Sequence, residues 1–262
     1  MSFCQLPIEI ILKFLSFASR FIPVVIGRHL ILHSMAKKEE SKDLLENPEV
    51  LQEKLEGIEH WVEKNPKLII GIVAAVILVV GGFFGYRYYV GEQDKLAQKE
   101  MFQAVRYFEA DSLKLALNGD GNNLGFLQIV EDYSITPAGN LANFYAGAIY
   151  LKQGKFPLAI FHLQDYKAND LLVQARAYSL IGDSYMEQKQ YEDAAKFYEK
   201  AASYKPNKEF TPIYLMKAAL AYEKLNNLEK AKAAYQTIID TYWDSSEIQN
   251  AKKFKARLES NS

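Results

Sequence analysis

The chain has 262 residues, of which 49% are hydrophobic and 24% charged, and its 31 basic and 32 acidic residues give a formal net charge of −1. This balance argues against nucleic acid as a principal partner, because nucleic-acid-binding domains carry an excess of lysine and arginine. Cys4 is the one cysteine in the sequence, so a disulfide within the chain is excluded.

Residues 1–34 form an apolar segment that is repeatedly interrupted by charge. Lys13, Arg20 and Arg28 break the apolar run, so the segment fits neither a membrane span nor a signal sequence with a short apolar core and a cleavage site. The sequence Met35-Ala36-Lys37-Lys38 is a more natural beginning for a short charged tail. We therefore expect residues 1–34 to be an upstream in-frame extension that is not normally made, and intact-mass or N-terminal analysis that finds Met1 in the native protein would contradict this expectation.

Residues 35–67 are predicted to form a charged tail followed by an amphipathic helix. Asn47-Pro48 opens that helix, because proline is favoured at the first helical position. The helix could lie along a membrane surface, pair with a partner helix, or be an ordinary solvated helix. Its apolar stripe consists of Leu51, Leu55, Ile58 and Val62, with Trp61 beside it.

Residues 68–90 are predicted to form a transmembrane helix. Residues 68–86 are a run of 19 residues without a formal charge, which is long enough to cross a bilayer. Tyr86, Tyr88 and Tyr89 resemble the aromatic belt of a membrane interface. The alternative is a buried helix of a soluble core, but the clustered glycines of this segment would be costly in a soluble helix.

Small residues recur along one side of this segment. Gly81 and Gly85 form a small-xxx-small pair, which permits close contact with another membrane helix, either of a second copy or of another membrane protein. The alternative is that glycine and alanine are simply common in membrane helices. The candidate contact residues are Gly71, Ala75, Gly81, Gly82 and Gly85.

The orientation of the span is predicted from loop length and lysine content. The charges closest to its two ends do not decide it. The short N-terminal side adds Lys37, Lys38 and Lys42, whereas a large C-terminal domain can translocate regardless of its charges. We therefore expect the N-terminus in the cytoplasm and the C-terminal domain on the opposite side of the membrane.

Residues 91–139 show helical patterning and are predicted to form a helical linker and a divergent first repeat. Their polar loop, Asn118-Gly119-Asp120-Gly121-Asn122-Asn123, superficially suggests calcium binding. The glycine after the third ligand position is missing, and Ile129 stands where the bidentate glutamate is required. A polar turn is the favoured interpretation.

The rest of the chain repeats a pattern of large and small residues with a period of about 34 residues. The windows are 140–174, 175–208 and 209–245, each with two helices, called helix A and helix B, that meet at small residues. Residues 246–262 are predicted to form a capping helix and tail. The middle window shows the pattern most completely, with Tyr178, Ile181, Gly182, Tyr185, Ala194, Tyr198, Ala201 and Pro206, and is identified as a tetratricopeptide repeat.

This order of elements predicts an all-α fold: a single transmembrane helix followed by an α-solenoid of tetratricopeptide hairpins with a C-terminal capping helix. Such arrays have a concave surface lined mainly by helix A, which suits an extended peptide or a partner helix. A merely solvated inner face is the alternative. The candidate groove residues are Phe144, Leu151, Lys152, Arg176, Asp183, Met186, Glu187, Met216, Glu223 and Lys224.

The sequence offers no pattern of catalytic or cofactor-binding residues. Gly154-Lys155 lacks the remaining residues of a phosphate-binding loop, and no nucleophile stands in a recognisable elbow. His29, His33, His60 and His162 show no metal-ligand spacing on a helix. We therefore predict that the protein is not an enzyme and has no cofactor and no metal site.

The order of short charged tail, single span and repeat array resembles the membrane-anchored tetratricopeptide proteins of the ancillary Sec-translocon subunit type. The resemblance covers nearly all of the chain after Met35. It implies a bacterial inner-membrane protein whose repeats face the periplasm and associate with the protein-export channel and periplasmic chaperones. Many tethered repeat proteins share this layout, so it is weakly specific for that role.

The expected function is a non-enzymatic, membrane-tethered scaffold that mediates protein–protein interactions at the cell envelope. The alternatives are a coordinator of cell-envelope assembly or division, a recruiting platform that faces the cytosol, and an enzyme accessory or undetected hydrolase.

Overall fold

The computed structural model describes residues 63–260, and every regular element within this range is an α-helix. The all-α fold predicted from the sequence is thereby confirmed. The expectations for residues 1–34 and for most of residues 35–67 lie outside the described residues. The helices are α1 (Pro66–Glu109), α2 (Leu113–Asn118), α3 (Phe126–Asp132), α4 (Pro137–Lys152), α5 (Phe156–Asp165), α6 (Val173–Glu187), α7 (Tyr191–Ser203), α8 (Thr211–Lys224), α9 (Leu228–Thr241) and α10 (Ile248–Ser260).

The chain divides into two compact units, the first ending at Gly81 and the second beginning at Gly82. The described part of the first unit, residues 63–81, holds the N-terminal portion of α1. The apolar side chains of this portion are exposed: the exposed fraction is 68% for Ile70 and 75% for Leu78. α1 is therefore long and apolar enough to cross a membrane, and its most apolar stretch is not a buried core helix within the described chain.

In the second unit, the C-terminal portion of α1 packs as part of the helical array. Ala97 and Ala104 are fully buried there. The carboxylate of Asp94 accepts a hydrogen bond of 2.8 Å from the backbone N–H of Ala138, in the first turn of α4. Thr136 caps the same helix. These contacts satisfy N–H groups that the first turn of a helix leaves unpaired.

Three helical hairpins follow: α4 with α5, α6 with α7, and α8 with α9. In each hairpin, helix A carries a small residue where helix B approaches. A Cβ atom added at Gly147 would lie 2.5 Å from Leu163 Cγ, and one at Gly182 would lie 2.6 Å from the ring of Tyr198. The close approach of the two helix axes therefore depends on the missing side chains.

The turns of the three hairpins share one backbone conformation. A residue with left-handed φ ends each helix A: Gly154 at 71°, Lys189 at 59° and Asn226 at 57°. This is the helix-ending turn that favours glycine or asparagine, so lysine at position 189 is the costly choice. The next N–H donates to a carbonyl five residues back at 2.9 Å in all three turns, pairing Lys155 with Tyr150, Gln190 with Tyr185, and Asn227 with Tyr222.

The last helix, α10, covers the end of the third hairpin. Ala251 and Leu258 are buried in the same cluster as Tyr235 and Ile238, and Phe254 packs against it. Burial of this face keeps the apolar surface of the last repeat out of water, which is the role of a capping helix in repeat proteins.

Candidate partner-binding site

An open pocket of about 470 Å³ lies at the end of the array, between α8, α9 and α10. We call it the C-terminal pocket. Five of its side chains come from helix A of the third hairpin, because positions three, four and seven residues apart share one face of a helix. The pocket is lined by Met216, Lys217, Leu220, Glu223, Lys224, Tyr235, Phe254 and Arg257.

The opposite face of α8 explains why the lining side chains point outward. Ala218, Ala219 and Ala221 are almost completely buried against the neighbouring helices. Leu220 lies between them in sequence but is 46% exposed, and Met216 is half-buried. The floor of the C-terminal pocket is therefore apolar and open to solvent.

A carboxylate organises the side of the pocket next to the cap. Glu223 accepts a hydrogen bond of 2.7 Å from the hydroxyl of Tyr235 on helix B. The same carboxylate pairs with the guanidinium of Arg257 on α10. Burial, followed by the hydrogen bond to Glu223, raises the pKa of Tyr235 above its ordinary value. Tyr235, Glu223 and Arg257 form what we call the second triad.

An equivalent arrangement stands one repeat earlier. Asp183 on α6 accepts a hydrogen bond of 2.7 Å from the hydroxyl of Tyr198 on α7. Both of its oxygens lie 2.8 Å from the ammonium of Lys217, which comes from α8 of the following repeat. Burial, then the negative charge of Asp183, raises the pKa of Tyr198. Tyr198, Asp183 and Lys217 form the first triad, and in both triads a cation joins one repeat to the next element.

The structure brings some of the predicted groove residues together at this site. Met216, Glu223 and Lys224 line the C-terminal pocket, and Asp183 adjoins it through Lys217. On α6, Met186 is half-buried against the core of the last repeats, while Arg176 and Glu187 are exposed.

The three predicted groove residues of the first hairpin have different surroundings. Phe144 is half-buried, with its ring centroid 5.6 Å from that of Tyr166. Leu151 packs against the core formed by α1 to α5. Lys152 is exposed and forms an ion pair of 2.9 Å with Asp111. These residues lie outside the C-terminal pocket, and the structure does not gather them into one site.

Sequence reasoning missed five residues of the C-terminal pocket. Lys217 and Leu220 lie on helix A beside predicted groove positions, Tyr235 comes from helix B, and Phe254 and Arg257 come from the capping helix. The seven-residue step from Met216 to Glu223 contained the signal for Leu220, since position i+4 shares that face. Nothing in the repeat pattern indicated that the cap would contribute to the site.

A second open pocket, of about 450 Å³, lies between α1 and α4. Phe102 on its rim is 62% exposed. Its lining contains no charged side chain, in contrast to the C-terminal pocket. The lining residues are Gln98, Met101, Phe102, Val105, Pro137, Ala138 and Leu141.

The small residues of the predicted membrane-contact face are unobstructed. A Cβ added at Gly71, Gly81, Gly82 or Gly85 would have no neighbour within 4 Å among the described residues, apart from the backbone of its own helix. Ala75 is likewise exposed. This face is open to a second helix, and its use as a contact face stays a prediction.

The polar loop in residues 118–123 is held by hydrogen bonds within the loop and by one from α1. Asp120 accepts one of 2.7 Å from the Tyr107 hydroxyl and others from the backbone N–H groups of Asn122 and Asn123. These bonds, with that of Tyr107 foremost, hold the pKa of Asp120 well below its usual range. Within residues 63–260, the structure contains no group of three acidic, histidine or cysteine residues arranged to bind a metal ion.

Two segments match family models described as tetratricopeptide repeat, at residues 175–208 and 214–245. The first contains most of α6 and all of α7, and the second contains most of α8 and all of α9. The chain therefore contains tetratricopeptide repeats, and the identification made from the large and small residues is confirmed. Repeats of this class are protein-interaction scaffolds.

Among curated proteins, the chain is similar to the "Uncharacterized protein ycf37" of Guillardia theta. The two are 35% identical over 102 residues, which is 37% of this chain and 56% of the relative. The match spans little more than half of the relative's length.

Proposed function

We propose that the protein is a membrane-tethered scaffold that binds partner proteins on the surface lined by helix A of its tetratricopeptide repeats, which we call the helix-A face. The observation that carries this proposal is the C-terminal pocket. Its apolar floor is exposed although the helix that forms it is packed on the other side. An exposed apolar surface with charged side chains around it is typical of a protein interaction site.

The tether is inferred from α1. The apolar side chains of residues 68–86 have no covering layer within the described residues, and leaving so many of them in water would be costly. A lipid bilayer removes that cost and requires a helix of about 20 apolar residues. Arg87, Tyr88 and Tyr89, at the C-terminal end of the apolar run, suit the membrane interface.

The proposed location is the bacterial inner membrane, with the N-terminus in the cytoplasm and the repeats in the periplasm. The lysines of the N-terminal side and the resemblance to ancillary Sec-translocon subunits support this orientation. On the same resemblance, the proposed partners are the export channel and periplasmic chaperones. A coordinator of cell-envelope assembly or division uses the same architecture, as does a cytosol-facing recruiting platform.

Membrane attachment and sidedness are tested on the full chain with a C-terminal tag. Alkaline carbonate should leave the chain in the membrane fraction, and deletion of residues 68–86 should release it. Added protease should cleave the repeats only after the outer membrane is permeabilised. Protection until the inner membrane is lysed would overturn the orientation and favour the cytosol-facing platform, whereas release of the intact chain by carbonate would overturn the tether.

The scaffold function is tested by partner capture with matched variants. Leu220 on α8 and Leu158 on α5 are almost equally exposed, at 46% and 45%. We expect Leu220→Asp to reduce the yield of co-purified partners about tenfold or more, because it places a charge on the apolar floor of the pocket. Leu158→Asp should leave the yield unchanged. Equal yields from both variants would contradict the proposed binding face.

A further inference from the structure

We propose that the C-terminal pocket binds an acidic segment of a partner protein that carries one large apolar side chain. This inference rests on the proposed function, because it names the kind of partner segment that the helix-A face accepts.

The apolar part of the recognition comes from three side chains. Met216 and Leu220 on α8 form the floor of the pocket, and Phe254 on α10 forms one of its sides. The pocket is open and has a volume of about 470 Å³. It has room for one aromatic or branched side chain of a bound segment. Burying such a side chain against this floor removes apolar surface from water and so anchors the bound segment.

The charged part of the recognition is asymmetric. The lining contains three cations, Lys217, Lys224 and Arg257, and one anion, Glu223. The Glu223 side chain is only 16% exposed and already receives Tyr235 and Arg257. A basic ligand would therefore find little accessible negative charge in the pocket.

The cations differ in how far they are already neutralised. Lys217 is paired with Asp183 at 2.8 Å. Lys224 is exposed, and the described part of the chain offers it no ion pair. An acidic segment would therefore meet Lys224 first, at the rim of the pocket. Solvent screens an exposed ion pair of this kind, so its main effect is on specificity.

Arg257 is held in position for the same ligand. Glu223 binds one edge of its guanidinium, and the guanidinium carbon lies 5.1 Å from the centre of the Phe254 ring. The side chain remains 49% exposed. A guanidinium has five N–H donors, so Arg257 has donors to spare for a second carboxylate. Because the side chain is already fixed, little conformational entropy is lost when a ligand binds.

The probe for this inference is a fluorescein-labelled peptide of about 12 residues with one phenylalanine flanked by glutamates. Matched peptides carry glutamine or lysine in place of every glutamate, and a further one carries serine in place of the phenylalanine. Binding to the full chain in mild detergent is followed by fluorescence anisotropy at low salt. We expect the glutamate peptide to bind about fivefold or more tightly than the glutamine and serine peptides, and the lysine peptide to bind weakest.

Two charge-reversal variants locate the preference. Lys224→Glu should reduce the affinity for the glutamate peptide about tenfold and remove its advantage over the glutamine peptide. Lys253→Glu, on the exposed side of α10 outside the pocket, makes the same change in net charge and should retain the advantage. Circular dichroism should find both variants as helical as the parent chain.

Three results would overturn the inference: equal binding of the glutamate and glutamine peptides, an unchanged preference in Lys224→Glu, or no binding of the glutamate peptide. Dimerisation that Lys224→Glu abolishes, measured by light scattering, would also overturn it by making a second copy the occupant. If the peptides fail while Leu220→Asp still lowers partner capture, only the ligand chemistry is wrong. If both effects are missing, the proposed function fails as well.

Discussion

The first hairpin, α4 with α5, and the two later hairpins share a backbone design but differ in what lies between their helices. At equivalent positions of helix B stand Leu163, Tyr198 and Tyr235, all of them buried. The leucine packs in an apolar cluster and has no hydrogen-bonding group, whereas each tyrosine hydroxyl donates to a carboxylate that also binds a cation. Leu163 therefore gives a purely apolar contact between helices, whereas the hydroxyl of each tyrosine adds a polar link between neighbouring repeats.

This difference also separates the two pockets. The pocket between α1 and α4 has no charged lining residue, whereas the C-terminal pocket has four. The triads place their carboxylates and cations beside the C-terminal pocket only. A repeat array with nearly uniform backbone geometry therefore has chemically distinct ends, and the charged end is the one where we expect selective binding.

The largest loss of stability is expected from truncating the buried side chain of helix B. Tyr198→Ala should lower the free energy of unfolding by about 3–5 kcal/mol, because it leaves a ring-sized cavity and frees Asp183 from its hydroxyl partner. Leu163→Ala should cost about 2–4 kcal/mol, since only apolar contacts are lost. Urea denaturation followed by circular dichroism measures both. A cost below about 1 kcal/mol for Tyr198→Ala would contradict a role of the first triad in packing these helices together.

The next largest loss of stability is expected at the small residue of helix A that faces this side chain. Gly182→Ala should destabilise by about 1–3 kcal/mol, because the new Cβ would stand 2.6 Å from the Tyr198 ring. In the third hairpin, Ala219 already occupies the equivalent place opposite Tyr235. If Gly182→Ala instead stabilises the chain in thermal denaturation, the helix spacing adapts and helix propensity decides the outcome.

Removing only the hydroxyl groups gives a smaller loss. Tyr198→Phe and Tyr235→Phe should each cost about 1–2 kcal/mol, because the half-buried carboxylates of Asp183 and Glu223 lose one donor but keep their cations. Tyr185→Phe, on helix A, is the control and should stay within about 0.5 kcal/mol of the parent chain. Urea midpoints that coincide for all three variants would contradict the role assigned to the triads.

The shared turn gives a prediction of opposite sign. Lys189→Gly should stabilise the chain by about 0.5–1 kcal/mol, because glycine adopts the left-handed φ of 59° without strain. Gly154→Ala, at the equivalent turn of the first hairpin, should destabilise by about 1 kcal/mol. Thermal denaturation of the two variants in parallel checks the prediction, and a destabilising Lys189→Gly would contradict it.

The smallest effect separates the hairpins by pH. His162, in the first hairpin, is buried, and its Nδ1 lies 2.9 Å from Asn143 Oδ1. Burial lowers its pKa, outweighing the opposing effect of Asp165. Below about pH 6.5 the unfolded chain takes up a proton that the folded chain resists, so stability falls with falling pH.

Urea midpoints measured between pH 7.5 and 5.5 test this effect. The parent chain should lose stability over this range, and His162→Gln should lose less of it. The difference between the two proteins should come from the first hairpin, because His162 lies on its helix α5. An identical pH dependence in the two proteins would contradict the role given to His162.

The fold could be predicted largely from residue size. Gly147, Gly182 and Ala219 recur at one offset and mark where helix B approaches, so the hairpins were visible in the sequence. The turn residues Gly154, Lys189 and Asn226 recur at the same steps along the sequence as these small residues. What the pattern could not specify was that Lys189 adopts the glycine-like conformation of Gly154, since turn geometry is imposed by the packed helices on either side.

The candidate site was predictable in part. Met216, Glu223 and Lys224 were found from helix periodicity, because they belong to one face of one helix. Phe254 and Arg257 were not, because their place beside α8 depends on how the capping helix packs. Asp183 was chosen as a groove residue, but its bonds to Tyr198 and Lys217 depend on contacts between helices that a one-dimensional pattern does not contain.

The central claim is that partners bind on the helix-A face at the C-terminal pocket, and site-specific photo-crosslinking in intact cells tests it most directly. A photoreactive amino acid is placed at Leu220, in the pocket, or at Leu158, which is equally exposed on α5. We predict discrete crosslinked partner bands from position 220 and none above background from position 158. Equal crosslinking at the two positions, or crosslinking at position 158 alone, would contradict the claim.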